Sequence, residues 1–172
     1  MRPVYIKSMV SLGAEDPDFK QILSPLESRR MGRLLKRAVW CSQKALEKAG
    51  IGQPDAVITA TDYGCMENSE AFLSGVLELE GASMRPVHFM QSTHNTIGSL
   101  IAIRLGCHGY NATYSHLGRS LESALDDAVM QIGLGDIDTA LVGWYDERTQ
   151  AMDATGLPCQ AHAVAFVLTC NP

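Results

Sequence analysis

Residues Asn111–Glu147 read NATYSHLGRSLESALDDAVMQIGLGDIDTALVGWYDE, and this stretch decides the fold. A short β-rich run, Tyr110–Ser115, meets a sharp polar turn. Ser120–Leu134 follows with helical spacing of Leu121, Leu125, Ala128, Val129 and Ile132, and Gly135 stops it. Thr139–Val142 is apolar and β-branched, as a buried strand should be. A nucleophile on such a turn would sit at a helix N-terminus, where the dipole lowers a thiol pKa. No cysteine lies between Asn111 and Glu147. Glu122, Asp126 and Asp127 fall off the apolar stripe, so the helix should have one dry side and one polar or partner-facing side.

The same alternation extends outward. Pro3–Val10 reads as a first strand and residues 11–27 as a loop with a short helical turn. Ser28 is placed as N-cap of a helix running to Ala49, with Gly50 as its stop. Asp55–Thr61 reads as a buried strand, Asn68–Glu80 as a helix with Phe72, Leu73, Val76, Leu77 and Leu79 on its apolar face, and Thr96–Leu105 as a helix stopped at Gly106. Arg148–Gln160 reads as a polar loop and Ala163–Thr169 as the last strand. Strands alternating with helices at this spacing predict βαβ units: an α/β fold with a five-stranded, mostly parallel sheet flanked by helices.

The 172 residues fit one domain, residues 1–172, with a sizeable core. A net charge of -5 argues against general nucleic-acid binding. The N-terminal MRPVYIKSMVSLGAED has no long apolar run, so neither a signal peptide nor a membrane span is expected. Cys41, Cys65, Cys107, Cys159 and Cys170 form no CxxC pair and are odd in number, which predicts reduced thiols and a cytoplasmic location. The spacings of His88, His94, Cys107, His108 and His116 match no zinc template, so no metal and no other cofactor is expected.

In order and spacing the motifs resemble the N-terminal half of a β-ketoacyl synthase, the thiolase-like fold. ESRRMGRLLKRAVWCSQKALEKAGI (Glu27–Ile51) resembles the family's first helix, and TATDYGCMENSEAFL (Thr59–Leu73) its strand, Gly-containing turn and helix. FMQSTHNTIGSLIAIRLGCHGYNATYS (Phe89–Ser115) resembles its dimer-interface segment and the strand entering the nucleophile turn. GDIDTALVGWYDE (Gly135–Glu147) is similar to the run G-x-x-D-x-x-L-V-G-G-x-x-E, with Trp144 at the second Gly, and HAVAFVLT to the closing strand. Counting back from Gly135, the family's cysteine position falls on Gly118, or on Leu117 if the turn is one residue off. Neither side chain can attack a thioester. The family's catalytic histidines lie in a C-terminal half that would begin where this sequence ends.

The resemblance therefore implies half of a thiolase-like fold serving as a non-catalytic subunit. STHNT and C-H-G-Y-N-x-T-Y are most similar to the short chain-length or initiation-factor subgroup of aryl-polyene and related fatty-acid or polyketide pathways. Its implied partners are an active ketosynthase and an acyl carrier protein, in a homo- or hetero-oligomer. Thr93, His94 and Asn95 would lie at a subunit interface and acyl pocket, or simply cap a helix. Arg29, Arg30, Arg33, Lys36 and Arg37 would steer an acidic carrier protein, or form a solvated face with partners such as Glu27. The alternative is an acyltransferase with a non-standard nucleophile, Cys107 or Ser115. Against it, Ser115 and His116 are strand neighbours pointing to opposite faces, and Cys107–His108 is not at a helix N-terminus. A structural homodimer with an unrelated role is a third reading.

Overall fold

The computed structural model describes residues 1–77 and 86–172. Five strands, β1 (Tyr5–Leu12), β2 (Ala56–Ala60), β3 (Tyr110–Tyr114), β4 (Thr139–Asp146) and β5 (His162–Thr169), form one sheet in the order β1-β5-β4-β2-β3. Seven α-helices accompany them among the described residues: α1 (Pro25–Arg30), α2 (Arg33–Ala49), α3 (Met66–Leu77), α4 (Pro86–Met90), α5 (Thr96–Leu105), α6 (Ser120–Leu134) and α7 (Gln150–Thr155). The last residues of the helix expected over Asn68–Glu80, with Leu79, lie outside the described residues.

The strand period of two divides the core into two layers. Val57, Leu141, Tyr145, Ala163, Ala165 and Val167 face α2 and α5. Ala56, Ile58, Ala60, Ala140, Val142 and Leu168 face Ala124, Ala128 and Ile132 of α6. The α/β architecture is as expected, but the sheet is mixed: β2 pairs in parallel with β3 and β4, while β5 runs antiparallel to β4 and β1. A full crossover helix covers each parallel connection. Between β4 and β5 the chain has only the short α7, so it returns beside β4 in the opposite sense.

Gly143 shows how closely the sheet and α2 fit. A Cβ there would fall 2.2 Å from the Tyr145 ring, which lies over it on the same face. The fully buried Tyr145 hydroxyl meets Ser42 Oγ of α2 at 2.6 Å. That hydrogen bond satisfies two polar groups which burial would otherwise leave unpaired.

The helix expected from Ser28 is two helices. Ser24, not Ser28, caps α1: its hydroxyl accepts from Glu27 N, the Glu27 carboxylate accepts from Ser24 N, and Pro25 takes the first helical position. Met31 and Gly32 are extended and break the chain before α2. The loop Arg148–Gln160 contains α7, capped by Thr149. On α6, Val129 is exposed, whereas Asp127, expected off the dry face, is buried beside β3. Burial and the Asp127 charge together push the Tyr114 phenol up to about 12.

Candidate functional site

The carboxyl ends of β2, β3 and β4 point the same way, and three polar segments follow from them: Thr61–Gly64, Ser115–Arg119 and Asp146–Glu147. Open α/β sheets gather their chemistry at this end. The turn from β3 into α6 is the sharp strand-to-helix elbow on which a nucleophile is usually presented. Leu117 has φ +31°, the one positive value at a non-glycine among the described residues, and its side chain is 67% exposed. A left-handed backbone at a branched side chain costs about 1–2 kcal/mol.

Asp62 occupies the turn. Its Oδ2 accepts from Gly118 N at 2.9 Å, and its other oxygen accepts from the Ser120 hydroxyl. The partial positive charge at the start of α6 therefore already faces a carboxylate. Asp62 is held in turn by Asp146, which is 2% exposed at the end of β4. The Asp146 carboxylate accepts from Thr61 Oγ1 at 2.8 Å and from Asp62 N and Tyr63 N at 3.0 Å. His162, opposite Asp146 in the β4–β5 register, brings Nε2 to 3.5 Å from Asp146 Oδ2. Its ring packs against Trp144, tilted by 45°, at 3.6 Å between centroids.

Beside this network lies a cleft of about 820 Å³ lined by Arg33, Arg37, Glu67, Glu70, Asp146 and Glu147 among others. Glu147 Oε1 accepts from Glu67 N at 2.8 Å. Burial, helped by the charges of Glu67, Glu70 and Asp146, nonetheless pushes its carboxyl up to about 7.

Ser115 and His116 come from the same turn but diverge. Ser115 Oγ donates to Asp62 O at 3.2 Å, while His116 Nδ1 meets Ser123 Oγ at 2.8 Å. No hydrogen bond links the two side chains among the described residues. Cys107 lies before β3, at the opposite end of the sheet, with its thiol on Pro54 O at 3.2 Å. Burial pushes the thiols of Cys41 and Cys65 up to about 12 and that of Cys159 up to about 11. Thiols so placed stay protonated and inert near neutrality.

Thr93, His94 and Asn95 are exposed just before α5, and Asn95 makes no side-chain cap bond. Thr93 Oγ1 instead meets Thr96 Oγ1 at 2.9 Å. The basic cluster divides. Arg29 and Arg30 are exposed on α1 and Lys36 is half-buried. Arg33 pairs with Asp16 at 2.7 Å. Arg37 is 6% exposed, pairs with the same Asp16 at 2.5 Å and donates to Gly13 O at 2.5 Å, so it is not part of the surface. Among the described residues no group of three or more His, Cys, Asp and Glu side chains is arranged to hold a metal, and no helix is long and apolar enough to cross a membrane.

Sequence reading located the turn but missed Asp62, Asp146, Glu147 and His162. A signal existed: Asp62 and Asp146 each follow an apolar strand at its carboxyl end. Nothing local distinguishes them from solvent-facing acids.

The family model described as beta-ketoacyl synthase, N-terminal domain, matches residues 6–163. No curated protein matches the chain. Among solved structures, a chain of the ketosynthase ApeO in complex with its chain length factor ApeC from Xenorhabdus doucetiae is similar at 22% identity and a TM-score of 0.74, with 86% of this chain and 61% of that chain covered. A β-ketoacyl synthase from Burkholderia phymatum is similar at 16% identity and a TM-score of 0.77, covering 98% and 59%. AntDE:AntF, a type II PKS acyl-carrier protein in complex with its ketosynthase bound to the hexaketide, gives 13% identity and a TM-score of 0.81, covering 98% and 62%. At these identities the likeness establishes a shared fold. The chain spans 59–62% of the length of these three chains.

Proposed function

The chain belongs to the β-ketoacyl synthase family through its N-terminal domain, and from that premise we propose that it serves as a ketosynthase-like subunit with no covalent step of its own. It would act as a chain-length or initiation factor beside an active ketosynthase and an acyl carrier protein, in fatty-acid, polyketide or aryl-polyene synthesis. The observation that carries this reading is the occupation of the β3–α6 turn. We take Leu117, the strained and exposed residue, as the counterpart of the family's nucleophile, with glycine 118 following it. Leu117 has no nucleophilic atom, and Asp62 has taken the helix N-terminal charge that would activate one. The partnership of a ketosynthase with a chain length factor in a similar structure favours the factor role.

In this reading residues 1–172 act as a single unit in the cytoplasm, without metal or cofactor. Thr93, His94 and Asn95 contribute to a subunit contact or acyl pocket. Arg29, Arg30 and Lys36 are the cations left to steer a carrier protein, because Asp16 engages Arg33 and Arg37. Two measurements test the proposal together. Co-purification with the ketosynthase and carrier protein of its pathway should recover a complex, and intact mass after incubation with acyl-thioesters should show no adduct. A monodisperse monomer that ignores both proteins defeats the subunit role. A stable acyl adduct lost on Ser115→Ala or Cys107→Ala defeats the non-catalytic one.

A further inference from the structure

His162 Nδ1 lies 2.7 Å from Gln160 O. A carbonyl only accepts, so this nitrogen carries the proton. Nε2 then faces Asp146 Oδ2 at 3.5 Å, is enclosed, and has no other partner among the described residues. On a neutral ring beside an ionised carboxylate, two lone pairs would confront each other away from water. One proton removes the conflict, either on Nε2 opposite a carboxylate or on Oδ2 opposite a neutral ring. We propose that Asp146 and His162 hold this single proton in common and form a pH-sensitive latch on the β3–α6 turn.

The latch works through a chain of contacts. Asp146 gathers the Thr61 hydroxyl and the amides of Asp62 and Tyr63, fixing the segment after β2. Asp62 reaches from that segment to Gly118 N and Ser120 Oγ, fixing the turn. A second proton leaves an imidazolium beside a neutral carboxyl. The carboxyl then loses the charge that draws its three donors, and both segments loosen. Burial supports sharing, since it pushes Asp146 up and His162 down.

Among the described residues, the cations near the pair are engaged elsewhere. Asp62 faces the pair from the segment after β2, Cys65 from the residue before α3, Glu147 from just after β4, and Cys159 from the segment before β5. Arg33 and Arg37 line the adjoining cleft but are engaged by Asp16, and Arg148 pairs with Asp153. The inference goes beyond the functional reading and holds whether or not the subunit has a covalent step.

Trp144, packed against His162, is a built-in probe. In a Trp40→Phe background its emission should show one step as pH falls from 8 to 5. Across that step amide exchange over residues 61–64 and 115–120, corrected for the intrinsic pH dependence, should accelerate about tenfold, the equivalent of one pKa unit of coupling. His162→Gln should abolish both changes, and Asp146→Asn should exchange fast at every pH. The latch is overturned by a flat Trp144 titration, by a step that survives His162→Gln, or by exchange unchanged across the step. Should Asp146→Asn fail to fold, His162→Gln still decides.

Discussion

Replacing Glu147 by Gln should make the protein more stable at pH 8 and leave it unchanged at pH 4. In the folded chain this carboxyl titrates at about 7 because burial and its acidic neighbours oppose ionisation, against 4.5 ordinarily. A folded-state pKa raised above the unfolded one contributes stability that is fully present below pH 4.5 and is lost as pH rises through about 7. The interval is worth at most about 3 kcal/mol, at about 1.4 kcal/mol per pH unit. Glu147 is half-buried, so solvent screening reduces the expected gain to about 1–2 kcal/mol. The amide keeps the acceptor for Glu67 N while removing the charge. Urea unfolding of both proteins from pH 4 to 8.5 gives the difference curve, in which titrations remote from Glu147 cancel. The curve should be flat near pH 4, climb between pH 5 and 7, and level off with unchanged m-values. A difference independent of pH, or a variant less stable at pH 8, would refute the reasoning.

Three further outcomes follow from the contacts described. A Leu117→Cys thiol should react with iodoacetamide no faster than an ordinary cysteine while the Asp62 carboxylate holds Gly118 N and Ser120 Oγ, and about tenfold faster once Asp62→Asn is added, for one pKa unit of thiolate stabilisation. Gly109→Ala should cost about 3 kcal/mol in urea unfolding, because its Cβ would fall 2.0 Å from the Asp55 carbonyl oxygen. Arg37→Met should cost about 1–2 kcal/mol by thermal unfolding, since the Gly13 carbonyl loses its Arg37 donor and Asp16 keeps only Arg33; adding Asp16→Asn should bring no recovery, because it weakens the remaining Arg33 pair.

Elements governed by local chemistry were legible from the chain itself. The bounds of α5 and α6 agree to the residue, because a glycine in the left-handed region ends each and the apolar spacing fills the rest. The break between α1 and α2 was missed, although Ser24–Glu27 carries a capping-box pattern with proline at the first helical position. Strand direction was less accessible, since β5 has the same apolar alternation whichever way it pairs with β4. The turn at residues 115–119 was visible as a polar interruption between a strand and a helix. The spacing left Leu117 and Gly118 both open, and both have a positive φ. The group that neutralises the turn was invisible, because Asp62 reaches Gly118 across 56 residues of sequence. Arg37 looked like surface charge for the same reason: its partner Asp16 lies in a distant loop.

The fit of Gly143, Tyr145 and Ser42 has an evolutionary corollary. The Tyr145 ring fills the space a side chain at 143 would need, and its hydroxyl needs the Ser42 acceptor or donor inside α2. The three positions are thus one heritable unit. A lineage that enlarges residue 143 must shrink residue 145 in step, and a lineage with Phe at 145 is released from any polar residue at 42. Aligned relatives should show the three substitutions travelling together, and a chimera that exchanges one without the others should fold less well than either parent.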